Sequence, residues 1–274
     1  MGEIMPKRIL ILGASGTVGK KLLKYFSGDN AFTVTGTFCS NKTVGIQKQM
    51  IQFSVEQPQD ICVILENVRP DVVISALRGD FEKQLVVHKL TAKHLANSNV
   101  RFIYLSTLNV FDGDRSRPHY ESDARISSSD YGNFKIQCED LLLSILKEKV
   151  AVLRIPFVWG KDSPRLQEVI KGCQIGQMSV YEDFFSNHVS DLQIAQFIQW
   201  VVTEKKCGVF HVGSVDVVRY RSFIGQLIGA LNLKQPEFIS QIVPGTMAVL
   251  SERNDIPRSL QWNSRQIVQY LGER

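Results

Sequence analysis

Residues 8–26 read RILILGASGTVGKKLLKYF, and the way this stretch is read decides the fold. RILILG (8–13) is an apolar run of strand length, the following VGKKLLKYF has its apolar residues at helical spacing, and GASGTVG (13–19) joins the two. Glycines at 13, 16 and 19 give the spacing GxxGxxG at a strand-to-helix junction, where a dinucleotide-binding loop has to lie. Residues without side chains permit a tight turn, close approach of backbone to a pyrophosphate, and tight packing of helix on strand. The helix start then offers free N–H groups and partial positive charge to the phosphates. Gly13, Ser15, Gly16, Thr17, Val18 and Gly19 are therefore cofactor-binding candidates. The bland alternative is a glycine turn that serves packing alone.

Outward from this stretch the alternation repeats. FTVTGTF (32–38), DVVISAL (71–77), RFIYLST (101–107) and VAVLRIPFV (150–158) have strand character, with amphipathic stretches between them. Strand then helix, repeated, predicts an α/β chain with a Rossmann-type doubly wound parallel sheet and a smaller C-terminal substrate-binding portion. After Gly160 the pattern loosens. Helices are expected around 164–174, over DLQIAQFIQWVVTE (191–204) and over YRSFIGQLIGALNL (220–233), with a short strand at VFHVG (209–213) and an irregular stretch at MSVYEDFFSNHVS (178–190). The expected division is interleaved: 1–160 and 189–215 form the dinucleotide-binding domain, 161–188 and 216–274 the substrate-binding portion. GDRSRPHYESDARISSSD (113–130) reads as a long loop of a kind that is often functional.

Composition narrows the function. The chain has 274 residues, 44% apolar and 22% charged, enough to bury a large core without disulfides. Its five cysteines are scattered, odd in number and lack CxxC spacing, against both a disulfide framework and a zinc site; no metal is expected. No apolar run approaches 18 residues and MGEIMPKR carries no apolar leader, so a soluble cytoplasmic protein without a membrane partner is expected. The net charge is +5, but its basic residues are not clustered with aromatics, and nucleic acid is not an expected partner. A mild positive excess suits an anionic small molecule as well as it suits no particular partner.

Two further places carry chemistry. In DYGNFK (130–135), Tyr131 and Lys135 share one face of a helix, and a lysine cation beside a phenol lowers the phenol pKa from about 10 toward neutrality. That makes a proton donor, against the alternative of an incidental pair on a solvated helix. The second strand ends TGTFCSNK, without the carboxylate that would bind the ribose 2′-hydroxyl of NAD. Ser40, Asn41 and Lys42 can receive a 2′-phosphate instead, so NADP(H) is expected to be preferred and NAD(H) to remain possible, unless Lys42 is one more surface lysine.

Together the glycine loop, the Ser106-Thr107 pair ending RFIYLST and the YxxxK spacing resemble the extended short-chain dehydrogenase/reductase (NAD-dependent epimerase/dehydratase) superfamily. The likeness is closer to its dTDP-4-dehydrorhamnose reductase-like group, whose STDYVFDG is matched here by STLNVFDG (106–113). LRIPFVWG (153–160), GVFHVGS (208–214) and IPRSLQWNSRQI (256–267) resemble three more of its elements. The resemblance implies hydride transfer between nicotinamide and a keto group, with a nucleotide-sugar as substrate class and a homodimer possible. It implies Thr107 as the hydroxyl that binds the substrate oxygen, Tyr131 as proton donor, and Lys135 as the group that lowers the tyrosine pKa and holds the ribose. Ala76, Leu77, Arg78 and Ile155, with Pro156, would line the cofactor; Asn109, Val110, Phe111, Trp159 and Asn187 would line the substrate, in a cleft between the Rossmann core and the residues after 160. Ser106 is expected to pack at the strand end.

The departures point elsewhere. Ser54-Val55 stands where the group usually has Asp and an apolar residue, SALRGDFEKQ replaces its A-x-x-x-VDKAE stretch, Ile256 replaces an Arg, and the chain stops at Arg274 before the group's final helix. His88 stands in place of a usual Asn and reads as a core or surface histidine rather than a proton relay. These changes keep open a second reading, an NADP-binding regulatory subunit resembling the methionine adenosyltransferase beta subunit.

Overall fold

The computed structural model describes residues 5–40 and 50–273. The chain forms two compact units. The first comprises Met1–Ser106, Asn133–Leu153 and Ile198–Val209; the second comprises Thr107–Gly132, Arg154–Phe197 and Phe210–Arg274.

In chain order the elements that lie wholly or mainly in the first unit are β1 (Lys7–Leu12), α1 (Thr17–Ser27), β2 (Phe32–Phe38), β3 (Met50–Gln52), α2 (Asp60–Val68), β4 (Val72–Ser75), α3 (Phe81–Leu95), β5 (Arg101–Thr107), α4 (Asp130–Leu146) and β6 (Val150–Ile155). The central sheet has seven strands in the order β10-β6-β5-β4-β1-β2-β3, where β10 is Gly208–His211. β1 pairs in parallel with both β2 and β4, Ile9 lying opposite Val34 on one side and Val72 on the other. The order therefore reverses at β1/β4, the switch point at which doubly wound sheets bind ligands beyond the carboxyl ends of their strands. Four consecutive residues of β1 and all four of β4 are buried, as strands covered on both faces must be. Leu10, Leu12, Val73, Phe102 and Val152 meet Ile61, Leu65, Val87, Leu95 and Leu142 from the helices in one apolar core. The expected doubly wound sheet is present.

The second unit carries β7 (Phe157–Trp159), α5 (Pro164–Ile175), β8 (Gln177–Ser186), β9 (His188–Ser190), most of α6 (Asp191–Thr203), β11 (Val218–Arg219), α7 (Tyr220–Ala230), β12 (Glu237–Met247) and α8 (Ser264–Gly272). β8 pairs with β11 antiparallel and with β12 in parallel, and β7 pairs with β9. The stretch 178–190, expected to be irregular, is thus almost wholly strand. Its alternation is broken by a bulge: Asp183 takes a left-handed φ of 55°, opposite a register shift between Ile242 and Gly245, and Gly245 has φ 119°. Helix α8 starts at a capping box, Asn263 accepting from Gln266 N at 3.0 Å while the Gln266 side chain accepts from Asn263 N at 2.9 Å.

Candidate active site

The glycine loop is built as the sequence suggests, but its three glycines do different jobs. Gly13 has φ 81°, and a Cβ there would lie 2.6 Å from the Ala76 carbonyl oxygen, while a Cβ on Gly19 would lie 2.2 Å from the Gly13 oxygen. Both are therefore required by the fold. Gly16 differs: its Cβ would meet only the Gly13 oxygen, at an ordinary 3.5 Å. The protein leaves that space free, at the N-cap of α1, whose first turn has no acidic residue and whose cap makes no side-chain hydrogen bond. A side chain on Gly16 would fill the cradle where a pyrophosphate meets the helix N-terminus, so the residues present fit a dinucleotide. Thr37 of β2, unnoticed in the sequence, fixes the loop: its Oγ1 accepts from Gly13 N at 2.9 Å and its carbonyl accepts from Ala14 N at 2.8 Å. Ser15, Thr17 and Val18 are half-buried on the same turn, Ala76 and Leu77 follow β4 half-buried, and Arg78 is exposed. At the tip of β2, Ser40 is exposed, and Asn41 and Lys42 lie outside the described residues.

Tyr131 and Lys135 stand one turn apart on α4, as predicted. Tyr131 keeps 39% of its surface exposed, whereas Lys135 is buried, with 6% exposed. Lys135 Nζ donates to the Leu105 carbonyl at 2.9 Å and lies 4.6 Å from the centre of the Tyr104 ring. Burial lowers the lysine to about 8, with Cys138 and Glu139 pulling upward and Arg78 downward. His88 is fully buried, so of the two expected readings the core one holds. Its Nε2 lies 2.8 Å from Ser75 Oγ and its Nδ1 3.6 Å from Cys138 Sγ, and burial, then the Lys135 charge, holds it down to about 3. It is a neutral imidazole. Burial pushes the Cys138 thiol up to about 11.

In the second unit, Thr107 ends β5 with 7% exposed, and its Oγ1 accepts from Asn109 N at 3.2 Å and donates to Asn109 Oδ1 at 3.0 Å. Asp112 is the residue the sequence hid. It is buried and accepts from Ser127 Oγ at 2.8 Å, Ser128 N at 2.7 Å, Ser129 Oγ, and Asn109 Nδ2 at 3.4 Å. Burial opposes its ionisation, but these hydrogen bonds outweigh burial and lower its pKa. The serine run is thereby pinned where α4 begins, and Ser129 Oγ accepts from Gly132 N at 3.1 Å as a helix cap. Gly132 has no room for a side chain, since a Cβ would lie 2.1 Å from Ser127 Oγ and 2.3 Å from the Asn109 oxygen. The residue beside Tyr131 is thus fixed by contact on two sides.

The remaining expected substrate residues are mostly interior. Val110, Phe111, Trp159 and Asn187 are all buried, while Asn109 and Ile155 are half-buried and Pro156 is buried. Phe111 stacks on His119 with centroids 4.5 Å apart and the Arg154 guanidinium lies 5.1 Å from its ring. Trp159 Nε1 donates to His188 Nδ1 at 3.1 Å. Asn187 Nδ2 donates to Ser214 O at 3.1 Å and Val249 O at 2.7 Å, and its Oδ1 accepts from Val249 N at 3.1 Å. Two of the sequence elements interlock here. Arg154 of LRIPFVWG donates to His211 Nε2 of GVFHVGS at 3.3 Å, while His211 Nδ1 faces the Leu250 carbonyl at 2.9 Å. Burial, against the pull of Glu121, lowers His211 to about 4, so its Nδ1 carries the proton and Nε2 accepts.

The family model described as RmlD substrate binding domain matches residues 7–270. A dTDP-4-keto-6-deoxy-D-glucose reductase of Streptomyces niveus is 24% identical over 221 residues, 76% of this chain and 73% of that protein. The methionine adenosyltransferase 2 subunit beta of Mus musculus is 30% identical over 206 residues, 69% of this chain and 61% of that protein's length. Among solved structures, the dTDP-4-dehydrorhamnose reductase of Bacillus anthracis in complex with NADP superposes with a TM-score of 0.79 at 17% identity, covering 98% of this chain and 99% of that one. Other structures of the same fold were solved with NAD.

Proposed function

Because the chain belongs to the RmlD substrate binding domain family, of the extended short-chain dehydrogenase/reductase superfamily, we propose that it reduces the keto group of a nucleotide-sugar with NADPH. The observation that carries this reading is the half-exposed Tyr131 phenol standing one turn before a buried Lys135. The loop of Gly13, Gly16 and Gly19 with the start of α1 would hold the pyrophosphate, and Ala76, Leu77, Arg78, Ile155 and Lys135 would flank the rest of the dinucleotide. Bound there, the dihydronicotinamide supplies a hydride to the carbonyl carbon. Tyr131 gives its proton to the carbonyl oxygen as the alcohol forms, and the Lys135 ammonium stabilises the phenolate left behind. The Thr107 hydroxyl orients the carbonyl. Asp112, the three serines and Gly132 hold the start of α4, and with it the phenol, in register. Val110, Phe111, Trp159 and Asn187 support the substrate side from within rather than by contact.

The test is NADPH oxidation against a panel of 4-keto nucleotide-sugars. Turnover with any of them supports the reading. Binding of NADPH without turnover on the whole panel favours the second reading, a regulatory subunit, for which the specific observation is the 30% identity to the beta subunit. In that case a stable partner enzyme should co-purify. Cofactor preference is separable: with no carboxylate among Phe38, Cys39 and Ser40 at the end of β2 and Lys42 to pair with the 2′-phosphate, NADPH should bind more tightly than NADH. Lys42→Ala should remove about 1.5–3 kcal/mol of NADPH affinity alone, measured by calorimetry. Equal affinities in the wild type would end the case for NADP.

A further inference from the structure

Tyr131, Lys135 and Glu139 follow one another at intervals of one turn along α4. Glu139 has 0% of its surface exposed, and Ser106 Oγ, expected only to pack at the strand end, donates to its Oε1. A carboxylate in such a place costs several kcal/mol unless a charge and hydrogen bonds compensate it. A cation one turn away on the same helix, Lys135, is within electrostatic reach of this carboxylate, which raises the lysine against the effect of burial. Among the described residues the lysine also faces the Cys138 thiol on α4, which pulls it upward beside Glu139, the neutral His88 imidazole from α3, the Tyr104 phenol from β5, and the Arg78 guanidinium after β4, which pulls it downward. Glu139 is the carboxyl in this set.

We propose that Glu139, held by Ser106, is a buried counter-charge that keeps Lys135 protonated, and so acts as a positioning residue on the Tyr131 phenol. The inference rests on the reading of Tyr131 and Lys135 as the proton-donating pair. Burial drives the lysine toward a neutral amine, and a neutral amine does nothing to lower a phenol pKa. With the lysine already down to about 8, loss of the anion one turn away would bring its midpoint to neutral pH or below and shrink the charged fraction there. The position is thus built so that the phenol is tuned by a lysine which is itself tuned by the next turn of the same helix.

The experiment reads the lysine directly in the protein without cofactor. With 13Cε-labelled lysine, the Lys135 resonance is assigned by its absence in Lys135→Met and titrated by NMR. Glu139→Gln keeps the shape and removes the charge, and should lower the Lys135 midpoint by about one pH unit or more, while Glu139→Asp should restore part of it. An unmoved midpoint in folded Glu139→Gln overturns the proposal. Should that variant not fold, the carboxyl 13Cδ of Glu139 is followed in the wild type. An ionised carboxylate between pH 6 and 8 supports the proposal, and a protonated one overturns it. Failure of the keto-sugar panel would remove the reductase reading without touching these midpoints, so the two failures are distinguishable.

Discussion

Asn187 offers a direct contest between a substrate contact and a structural clamp. Its amide makes three hydrogen bonds at 2.7–3.1 Å, to Ser214 O, Val249 O and Val249 N, with none of its surface exposed. Asn187→Ala removes all three and leaves a buried N–H and two carbonyls to find other partners. At about 1 kcal/mol per bond, with an added desolvation cost for the orphaned N–H, the loss should be about 3–5 kcal/mol. That is a large share of the 5–15 kcal/mol typical of a folded domain. Urea unfolding at pH 7 measures it, and the KM of whatever fraction remains folded should be unchanged. Asn187→Asp sharpens the test, because it sets an anion against two carbonyl oxygens and so raises that carboxyl's folded-state pKa. It should be the less stable variant at neutral pH and regain stability as pH falls through the raised pKa. An Asn187→Ala protein within 1 kcal/mol of wild type, but with KM raised tenfold or more, would place the amide against substrate and refute the clamp.

Three further outcomes are expected. Gly16→Val should fold normally by circular dichroism, since the protein itself leaves that space free, yet show no NADPH binding in a cofactor titration; normal binding would mean that the loop holds something else. Tyr131→Phe should retain folding and NADPH affinity and lose about 10²- to 10⁴-fold in turnover, and Lys135→Met should move the pH dependence of residual activity upward as the phenol reverts toward a pKa of about 10. An unchanged Tyr131→Phe rate would sink the proton-donor assignment. Gly132→Ala forces a Cβ to 2.1 Å from Ser127 Oγ and 2.3 Å from backbone, so it should cost about 1–3 kcal/mol in urea unfolding and lower turnover through the displaced phenol; an unaffected variant would show that the start of α4 is not held there.

What could be read from the sequence was whatever has a period or a punctuation mark. β2 and β5 fall on FTVTGTF and RFIYLST because uninterrupted apolar runs between turn signals have one sensible conformation in an α/β pattern. β8 was not legible, because Glu182 and Asp183 break the alternation: one pairs with Arg221 and the other turns left-handed at a bulge that exists only opposite β12. α8 carried a signal, the N-x-x-Q of its capping box, that spacing alone could have found. Around the candidate site, the placement of Tyr131 and Lys135 one turn apart on a single helix was legible from spacing within one element. Thr37, Asp112 and Glu139 were not, since the hydrogen bonds that single them out come from residues distant in sequence or on another element.

The strand order of the central sheet has a consequence for synthesis. β6 ends at Ile155, but the strand that closes its outer edge, β10, begins only at Gly208. A ribosome adding about 5–20 residues per second takes several seconds to cross that interval. Until it does, the nascent sheet ends in β6, a strand whose first four residues are buried and apolar and whose backbone donors and acceptors face no neighbour on that side. An unpaired apolar edge is the feature most apt to recruit another chain. Substitutions that slow the docking of GVFH should therefore reduce soluble yield more than they reduce the stability of protein already folded.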